Sequence, residues 1–259
     1  MTKINEFDLA FVVDTTGSMG GLIKAAQKQM VGMVDALATA VDVDMRLGIV
    51  EYRDHPPQDR MIYRVYNLTD NLKKAKKAID GLSAEGGGDE PEAVYAGIVA
   101  ACDKLAWRRH SRRMAVLVGD APPHGAGCPG DGFPRGCPSG QTMESVSARA
   151  EEVRVTLYAL GLSPRCAEPF DRISGMTGGR FFPADEADKA MAQMKHILEN
   201  EFGQLEFDRE IYHVWESMTD PTVELVAQQI EATLSKVAAA VCRLQSRGFL
   251  LQERVGSSA

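Results

Sequence analysis

FVVDTTGSMGG, residues 11–21, is the stretch of sequence from which the fold class follows. It continues an almost wholly apolar run that starts at Phe7, and such a run is typical of a buried strand. The run ends at Asp14, and hydroxyl side chains follow at Thr16 and Ser18. Ligand sites of open α/β sheets lie just beyond the carboxyl ends of the strands, so this stretch predicts such a sheet with a polar site at its edge.

Apolar segments of strand character alternate with segments of helical period up to residue 202. The alternation predicts an α/β fold: a Rossmann-like, doubly wound and mostly parallel six-stranded sheet covered by helices. The predicted strands span residues 7–13, 45–52, 61–68, 114–118, 155–160 and 180–182. The predicted helices span residues 20–40, 71–82, 90–107, 142–152, 169–176 and 187–202. The short loop RDHPPQD between the second and third strands indicates an antiparallel pair at one edge.

The strand pattern fades after residue 202, which predicts one domain over residues 1–203 and a helical extension over residues 204–259. In the extension, two helical segments flank a turn near Thr233, and Gly248 separates the second from the apolar residues 249–251. This order of helix, turn, helix and strand resembles a winged helix-turn-helix module.

Composition narrows the range of functions. The chain has 259 residues and a formal net charge of −7, which argues against broad binding to nucleic acid or to acidic membranes. Its first residues lack the pattern of a secretory signal, and no apolar run approaches the roughly 20 residues of a membrane span. Five scattered cysteines are unlike a disulfide framework. We therefore expect a cytoplasmic protein with reduced thiols.

Three polar loops are expected at the same edge of the sheet, because each follows a strand or opens a helix. They are residues 14–18 (DTTGS), 86–92 (GGGDEPE) and 119–123 (GDAPP). Their side chains offer mainly oxygen atoms, which suit a hard divalent cation such as Mg²⁺ better than zinc. An alternative for the first two loops is simple capping of helix N-termini, since Asp, Thr and Ser accept hydrogen bonds from the first turn.

These loops resemble the metal-ion-dependent adhesion site (MIDAS) of von Willebrand factor A (VWA) domains of the intracellular type, over about residues 6–203. The family's D-x-S-x-S element matches Asp14, Thr16 and Ser18, with Thr in place of the first Ser. The aspartate of the family's third loop matches Asp120. Asp89 matches the position at which the second loop usually carries a threonine, which implies one more negative charge near the ion.

The resemblance implies that the first domain binds Mg²⁺ or Mn²⁺ and uses it to hold an acidic side chain of a partner protein, without catalysis. Intracellular VWA proteins commonly act as adaptors or assembly factors beside ATPases, kinases and proteases. In bacteria they occur in stress and defence systems. The C-terminal extension is then expected to dock a protein or to dimerise, and no contact with nucleic acid or membrane is expected.

The loop of residues 124–140, rich in Gly and Pro, leaves from the same edge. Long loops of this kind are usually functional, and we expect this one to frame the contact with the partner. A second interpretation is a zinc site formed by His124, Cys128, Cys137 and Cys166, although the spacing of the cysteines is not that of a common zinc motif. A disulfide between Cys128 and Cys137 is a third, for an oxidising environment.

Two other functions compete with the adaptor. Asp14 followed by Thr16 and Gly17 resembles the phosphotransferases of the haloacid dehalogenase type, in which such an aspartate is the nucleophile and Mg²⁺ lies beside it. A transcription regulator is the other, because Lys236, Arg243 and Arg247 make the second helix of the extension basic.

Overall fold

Six strands form one sheet in the computed structural model, which describes residues 3–38, 43–183 and 187–250. The strands are β1 (Glu6–Asp14), β2 (Asp44–Tyr52), β3 (Tyr63–Thr69), β4 (Arg112–Gly119), β5 (Val155–Gly161) and β6 (Phe181–Pro183). Their order is β3-β2-β1-β4-β5-β6. β4 runs parallel to β5, and β5 runs parallel to β6. The predicted α/β fold class, a mostly parallel six-stranded sheet with flanking helices, is confirmed.

β1 and β4 occupy the middle of the sheet, side by side. Every residue of β1 is buried, and so are the last six residues of β4. Strands that are covered on both faces carry continuous apolar runs instead of an alternating pattern, which explains the sequence of both. The carboxyl ends of the two strands, Asp14 and Gly119, are consequently neighbours at one edge of the sheet.

The pair β2 and β3 is antiparallel, and β3 lies at the edge of the sheet. Val50 pairs with Val65, and Tyr52 pairs with Tyr63. The predicted antiparallel edge pair is therefore confirmed, although β3 begins at Tyr63 and not at Met61.

Eight α-helices lie in the described residues. They are α1 (Ile23–Ala38), α2 (Leu72–Asp80), α3 (Val94–Lys104), α4 (Met143–Glu152), α5 (Ala167–Met176), α6 (Ala187–Ser217), α7 (Val223–Gln229) and α8 (Leu234–Ser246). A 3-10 turn over Gly17–Gly21 precedes α1, and residues 39 and 40 of the first predicted helix lie outside the described residues. Caps define several starts: the side chains of Asn71, Thr142 and Thr222 accept backbone N–H groups of α2, α4 and α7.

The predicted start of the third helix at Glu90 is wrong. α3 begins at Val94, because the residues before it bond to other loops: Glu92 N donates to Pro122 O at 3.0 Å, and Ala93 N donates to Arg53 O at 2.9 Å. The segment before α3 therefore stays a loop at the edge of the sheet.

The chain divides into two compact units. The larger comprises residues 7–107 and 113–196, and the smaller comprises the described residues among 1–6, 108–112 and 197–259. The core of the larger unit joins strands to helices α3, α4 and α5; its fully buried side chains include Val12, Leu117, Leu157, Val146 and Phe170. Burying a side chain of this size contributes about 1.5–3 kcal/mol.

The smaller unit has its own core, around the last two helices. Its fully buried side chains include Ile4, Ile211, Val226, Val237 and Leu244. α7 and α8 follow each other across a short turn, as predicted for the extension. Of the predicted strand at 249–251, residues 249 and 250 form a bend and residue 251 lies outside the described residues. The winged-helix resemblance stays a prediction.

α6 is longer than predicted, since it continues past residue 202 to Ser217. Residues 204–217 contain no glycine or proline, so nothing in the chain interrupts the helix there. The predicted domain boundary between residues 203 and 204 thus falls inside a continuous helix. In the described part of the chain, none of the helices combines the length and the apolar character needed to cross a membrane.

Candidate metal centre

Three loops meet at the carboxyl edge of the sheet, and backbone hydrogen bonds join them. Gly17 N donates to Gly86 O at 3.0 Å, which connects the first loop to the second. Glu92 N donates to Pro122 O at 3.0 Å, which connects the second loop to the third. The polar stretches at residues 14–18, 86–92 and 119–123 therefore lie together, as the sequence predicts.

Four of the predicted ligands form a continuous chain of oxygen contacts. Thr16 Oγ1 donates to Asp14 Oδ1 at 2.6 Å and lies 3.1 Å from Ser18 Oγ. Ser18 Oγ in turn donates to Asp120 Oδ1 at 3.0 Å, across 102 positions of sequence. The alternation of Asp14, Thr16 and Ser18 along the chain thus directs all three side chains toward the aspartate of the third loop.

Asp14 is fully buried, and only one of its carboxylate oxygens has a partner. Oδ1 accepts hydrogen bonds from Thr16 N at 2.9 Å and from Thr16 Oγ1, whereas the buried Oδ2 has no partner among the described residues. Burial raises the pKa of Asp14 to about 7, against the lowering effect of the two bonds from Thr16. Burial also raises the pKa of Asp120. A buried carboxylate oxygen without a partner is costly, and a cation at this position would remove the cost.

Gly119, the last residue of β4, packs directly against this carboxylate. A Cβ atom at this position would lie 2.6 Å from Tyr52 Oη and 3.4 Å from Asp14 Oδ2. A larger residue would therefore displace the groups that surround Asp14. Tyr52 Oη is itself buried without a hydrogen-bond partner in the described part of the chain.

Glu92 is a second buried acid of the site, and sequence reasoning missed it. The side chain of Glu92 lies close to both Gly87 and Thr16. A Cβ atom added at Gly87 would lie 3.1 Å from Glu92 Oε1 and 3.4 Å from Thr16 Cβ. Burial raises the pKa of Glu92 to about 10; the charges of Asp14 and Asp54 add to the rise, and the nearby polar side chain of Thr16 opposes it. The sequence placed Glu92 in the first turn of a helix, but the residues before α3 form a loop in which Glu92 makes an isolated β-bridge to Pro123, and its side chain is buried.

Asp89, the fifth predicted ligand, makes its contacts elsewhere. Its Oδ2 accepts a hydrogen bond from Gly132 N at 2.5 Å, and its carboxyl group lies close to that of Asp54 and to the ring of His124, with one ligand atom of each within 4.8 Å of the others. Burial is the main cause of a raised pKa of Asp89. Asp89 thus belongs to a neighbouring cluster that includes Asp54 and His124.

A cleft of about 370 Å³ opens above the oxygen chain. Residues of all three loops line it, among them Ser18, Glu92 and Asp120, and Asp89 lies in its wall. Arg165 also lines the cleft and forms an ion pair with Glu90. The site is therefore open to a side chain of another molecule.

The zinc interpretation based on His124 and three cysteines does not match the contacts of those cysteines. Cys137 Sγ lies 3.2 Å from His55 Nε2, Cys166 Sγ contacts Ser163 O at 2.9 Å, and Cys128 is half-buried. Within the part of the chain that the structure describes, none of them belongs to a group of three metal-ligating side chains. All five cysteines are free thiols, so Cys128 and Cys137 form no disulfide.

The six-stranded, mostly parallel sheet with flanking helices is a VWA-like α/β fold. Residues 8–123 match a family model described as von Willebrand factor A domain. These residues include β1, β4 and all three loops of the site.

Two curated proteins share part of the sequence. The alpha-protein kinase vwkA of Dictyostelium discoideum is 26% identical over 154 residues, which are 58% of this chain and 24% of the kinase. The putative ariadne-like RING finger protein R811 of Acanthamoeba polyphaga mimivirus is 33% identical over 128 residues, which are 49% of this chain and 12% of that protein. The similarity therefore spans a quarter or less of the length of each relative.

Solved structures share the fold at low sequence identity. Proximal thread matrix protein 1 from the mussel byssus, in a structure described as having a zinc-occupied MIDAS motif, gives a TM-score of 0.58 at 18% identity, over 74% of this chain and 46% of that chain. BatB from Bacteroides thetaiotaomicron gives 0.56 at 13% identity, over 75% and 98% of the two chains. The pilus adhesin SpaC from Lactobacillus rhamnosus GG, in an open conformation, gives 0.54 at 17% identity, over 77% and 30%.

Proposed function

We propose that this protein is a metal-dependent protein-interaction module. In the proposal, Asp14, Thr16, Ser18 and Asp120 hold a divalent cation at the edge of the sheet, and an acidic side chain of a partner protein completes its coordination. The observation that carries the proposal is the buried Asp14 Oδ2, which has no partner among the described residues although it belongs to a continuous set of oxygen ligands.

The donor set fits a hard cation. Two carboxylates and two hydroxyl groups are oxygen ligands of the kind that Mg²⁺ and Mn²⁺ accept, and Mg²⁺ usually retains several waters that a further ligand can replace. The hydroxyls of Thr16 and Ser18 bring no charge, so a bound ion keeps its attraction for an external carboxylate. Glu92, next to Thr16, would orient that hydroxyl from outside the ligand set.

The proposal names only the class of the partner, a protein that offers an acidic side chain. VWA domains typically mediate metal-dependent protein interactions, and adaptors of this type work beside ATPases, kinases and proteases, in bacteria within stress and defence systems. The relative named as a kinase and the relative named as a RING finger protein support a regulatory setting for the domain. A cytoplasmic location and the absence of catalysis are part of the same proposal.

The test is calorimetric titration of Mg²⁺ and Mn²⁺ into the chelator-treated protein. Wild type should bind an ion at the site, and Ser18→Ala should bind it at least tenfold more weakly, because a ligand and the contact with Asp120 are lost. Ser83→Ala is the matched control, since Ser83 is exposed and contacts Glu85 instead. Equal affinities of wild type and Ser18→Ala would refute the ligand set. Partner capture that is equal in Mg²⁺ and in EDTA would refute the mechanism.

A phosphotransferase would use the same residues differently, with Asp14 as nucleophile. Incubation with a generic phosphate ester and Mg²⁺ separates the two functions. We expect no turnover, and turnover that is lost in Asp14→Asn would overturn the non-catalytic proposal.

Binding of DNA by the extension is disfavoured by the contacts of its basic residues. Arg243 Nη2 donates to Asp208 Oδ1 at 2.6 Å, and Arg247, only 5% exposed, donates through Nε to His110 O at 2.9 Å. Of the three basic residues considered for DNA, Lys236 is exposed. We expect no retention on duplex DNA at low salt; retention that is lost in Lys236→Ala would support the transcription regulator.

A further inference from the structure

A second group of potential metal ligands lies beside the oxygen chain and takes no part in the proposed function. One ligand atom of each of Asp54, Asp89 and His124 lies within 4.8 Å of the other two. The three residues come from separate segments: Asp54 follows β2, Asp89 belongs to the second loop, and His124 opens the loop of residues 124–140. Close approach of three such distant residues is a product of the fold and not of local sequence.

The imidazole of His124 is oriented as metal-binding histidines usually are. Its Nδ1 lies 2.8 Å from Asp131 Oδ1, and both side chains are almost fully buried. Asp131 is fixed in turn by Gly125 N at 2.8 Å and Phe133 N at 2.7 Å. A carboxylate that accepts the proton of one ring nitrogen fixes the tautomer and directs the other nitrogen at the metal. Here the other nitrogen, Nε2, points at Asp54, 2.6 Å from its Oδ1.

The carboxylates of the group have unused oxygens. Asp54 is 0% exposed, and its Oδ2 has no hydrogen-bond partner among the described residues. Asp89 Oδ1 is likewise buried without a partner there. Asp54 Oδ1, by contrast, accepts from His55 N and faces His124 Nε2. Two acceptor atoms in one buried pocket therefore have nothing to bind.

The charges of the pocket are not balanced by side chains. Three carboxyl groups, of Asp54, Asp89 and Asp131, lie around the imidazole of His124, whose ring centroid is 5.9 Å from that of His55. In the described part of the chain, no lysine or arginine forms an ion pair with any of these three carboxyl groups. Phe133 covers the pocket edge-on, with its ring centroid 4.9 Å from that of His124. In such a poorly hydrated place, either protons or a cation must compensate the carboxylates.

We propose that Asp54, Asp89 and His124 form a second cation site, selective for Zn²⁺ over Mg²⁺. One imidazole nitrogen and two carboxylates suit zinc, whereas the oxygen-only set around Asp14 suits Mg²⁺. An ion bound at His124 Nε2 replaces the proton on that nitrogen, and Asp131 is a positioning residue that holds the ring.

Such an ion would fasten the loop of residues 124–140 to the wall of the cleft. Gly132 N already donates to Asp89 Oδ2, and Asp131 contacts His124, so the loop is attached to two members of the group. Asp89 also lies in the wall of the cleft. The second site therefore has a structural role beside the first and binds its ion independently of it.

The experiment is titration of Zn²⁺ into chelator-treated full-length protein in the presence of excess Mg²⁺, which occupies the oxygen site. Wild type should bind one Zn²⁺. Asp54→Asn and His124→Gln should each weaken binding by at least a hundredfold, and Asp131→Asn by about tenfold to a hundredfold. His213→Gln and Asp70→Asn, both at exposed positions, are the matched controls and should bind like wild type.

Co²⁺ gives a readout on wild type that needs no variant. Four-coordinate Co²⁺ absorbs visible light much more strongly than octahedral Co²⁺, and the proposal predicts the strong spectrum. Zinc affinity that is unchanged in His124→Gln, or that is lost only in Asp14→Asn, would overturn the proposal. So would the absence of any zinc binding by wild type, which would mean that protons compensate the pair Asp54 and Asp89.

Discussion

Replacement of Asp14 by asparagine should stabilise the metal-free protein and at the same time remove its response to Mg²⁺. Asparagine keeps a side-chain oxygen that can accept the two hydrogen bonds from Thr16, but it carries no charge. The aspartate, in contrast, buries a carboxylate whose Oδ2 has no partner in the described part of the chain. The wild-type residue is therefore favourable only when a cation is bound.

The size of the effect follows from the pKa of Asp14, which burial raises from 3.8 to about 7. At 1.36 kcal/mol for each pKa unit, this difference corresponds to about 4 kcal/mol of unfavourable charge burial. The folded-state pKa lies above the unfolded-state pKa. Below about pH 4 the carboxyl group is protonated in both states and the cost is absent; as the pH rises through about 7, the folded state becomes charged and loses this contribution to its stability. The variant should therefore be more stable by up to about 4 kcal/mol at pH 8 and nearly equal to wild type at pH 4.

The assay is urea unfolding in EDTA at both pH values, repeated with millimolar Mg²⁺ at the higher one. An ion present at about 100 times its Kd stabilises wild type by about 2.7 kcal/mol and leaves the variant unchanged. Asp70→Asn is the control, because Asp70 is exposed. An Asp14→Asn variant that is less stable than wild type in EDTA at high pH, or that Mg²⁺ still stabilises, would refute the reasoning.

Three further results are expected. Mg²⁺ affinity measured by calorimetry should fall about tenfold for each pH unit below about 7, because the ion competes with the proton of Asp14; a flat profile would contradict this. Glu92→Gln should weaken Mg²⁺ binding by about tenfold to a hundredfold, because Glu92 orients the ligand Thr16. Calorimetric titration of the variant measures the affinity, and an unchanged value would contradict this role of Glu92. Arg243→Ala should lower the free energy of unfolding of the smaller unit by about 3 kcal/mol, because it leaves the buried carboxylate of Asp208 without its main ion-pair partner. Unfolding followed by circular dichroism measures this change. Lys236→Ala should leave this free energy unchanged.

The order of strands and helices in the sheet, and the position of the site at its edge, could be predicted from the sequence. Because β1 and β4 are buried on both faces, their sequences are continuous apolar runs. The loop between β2 and β3 is too short for a parallel crossover, so the two strands pair antiparallel. Both features are local, so they can be read from a few consecutive residues. The convergence of Asp14, Thr16, Ser18 and Asp120 follows from them, since neighbouring strands end at the same edge.

The roles of Asp89 and Glu92 could not be read in the same way. Their segment looks like a helix start, with Pro91 near the first turn, but Glu92 N bonds to Pro122 O and Ala93 N bonds to Arg53 O. These bonds connect residues that are far apart in sequence, and they decide which of the two acids points toward Thr16. The cluster of Asp54 and His124 depends on similar long-range contacts.

The ligand set around Asp14 is the central claim, and locating Mn²⁺ by anomalous scattering in a crystal grown with that ion tests it most directly. The account predicts a peak bonded to the hydroxyl oxygens of Thr16 and Ser18, with the carboxylates of Asp14 and Asp120 as direct or water-bridged ligands. A crystal in which Mn²⁺ binds only elsewhere, or in which these four side chains stay hydrogen-bonded to one another at saturating Mn²⁺, would contradict it.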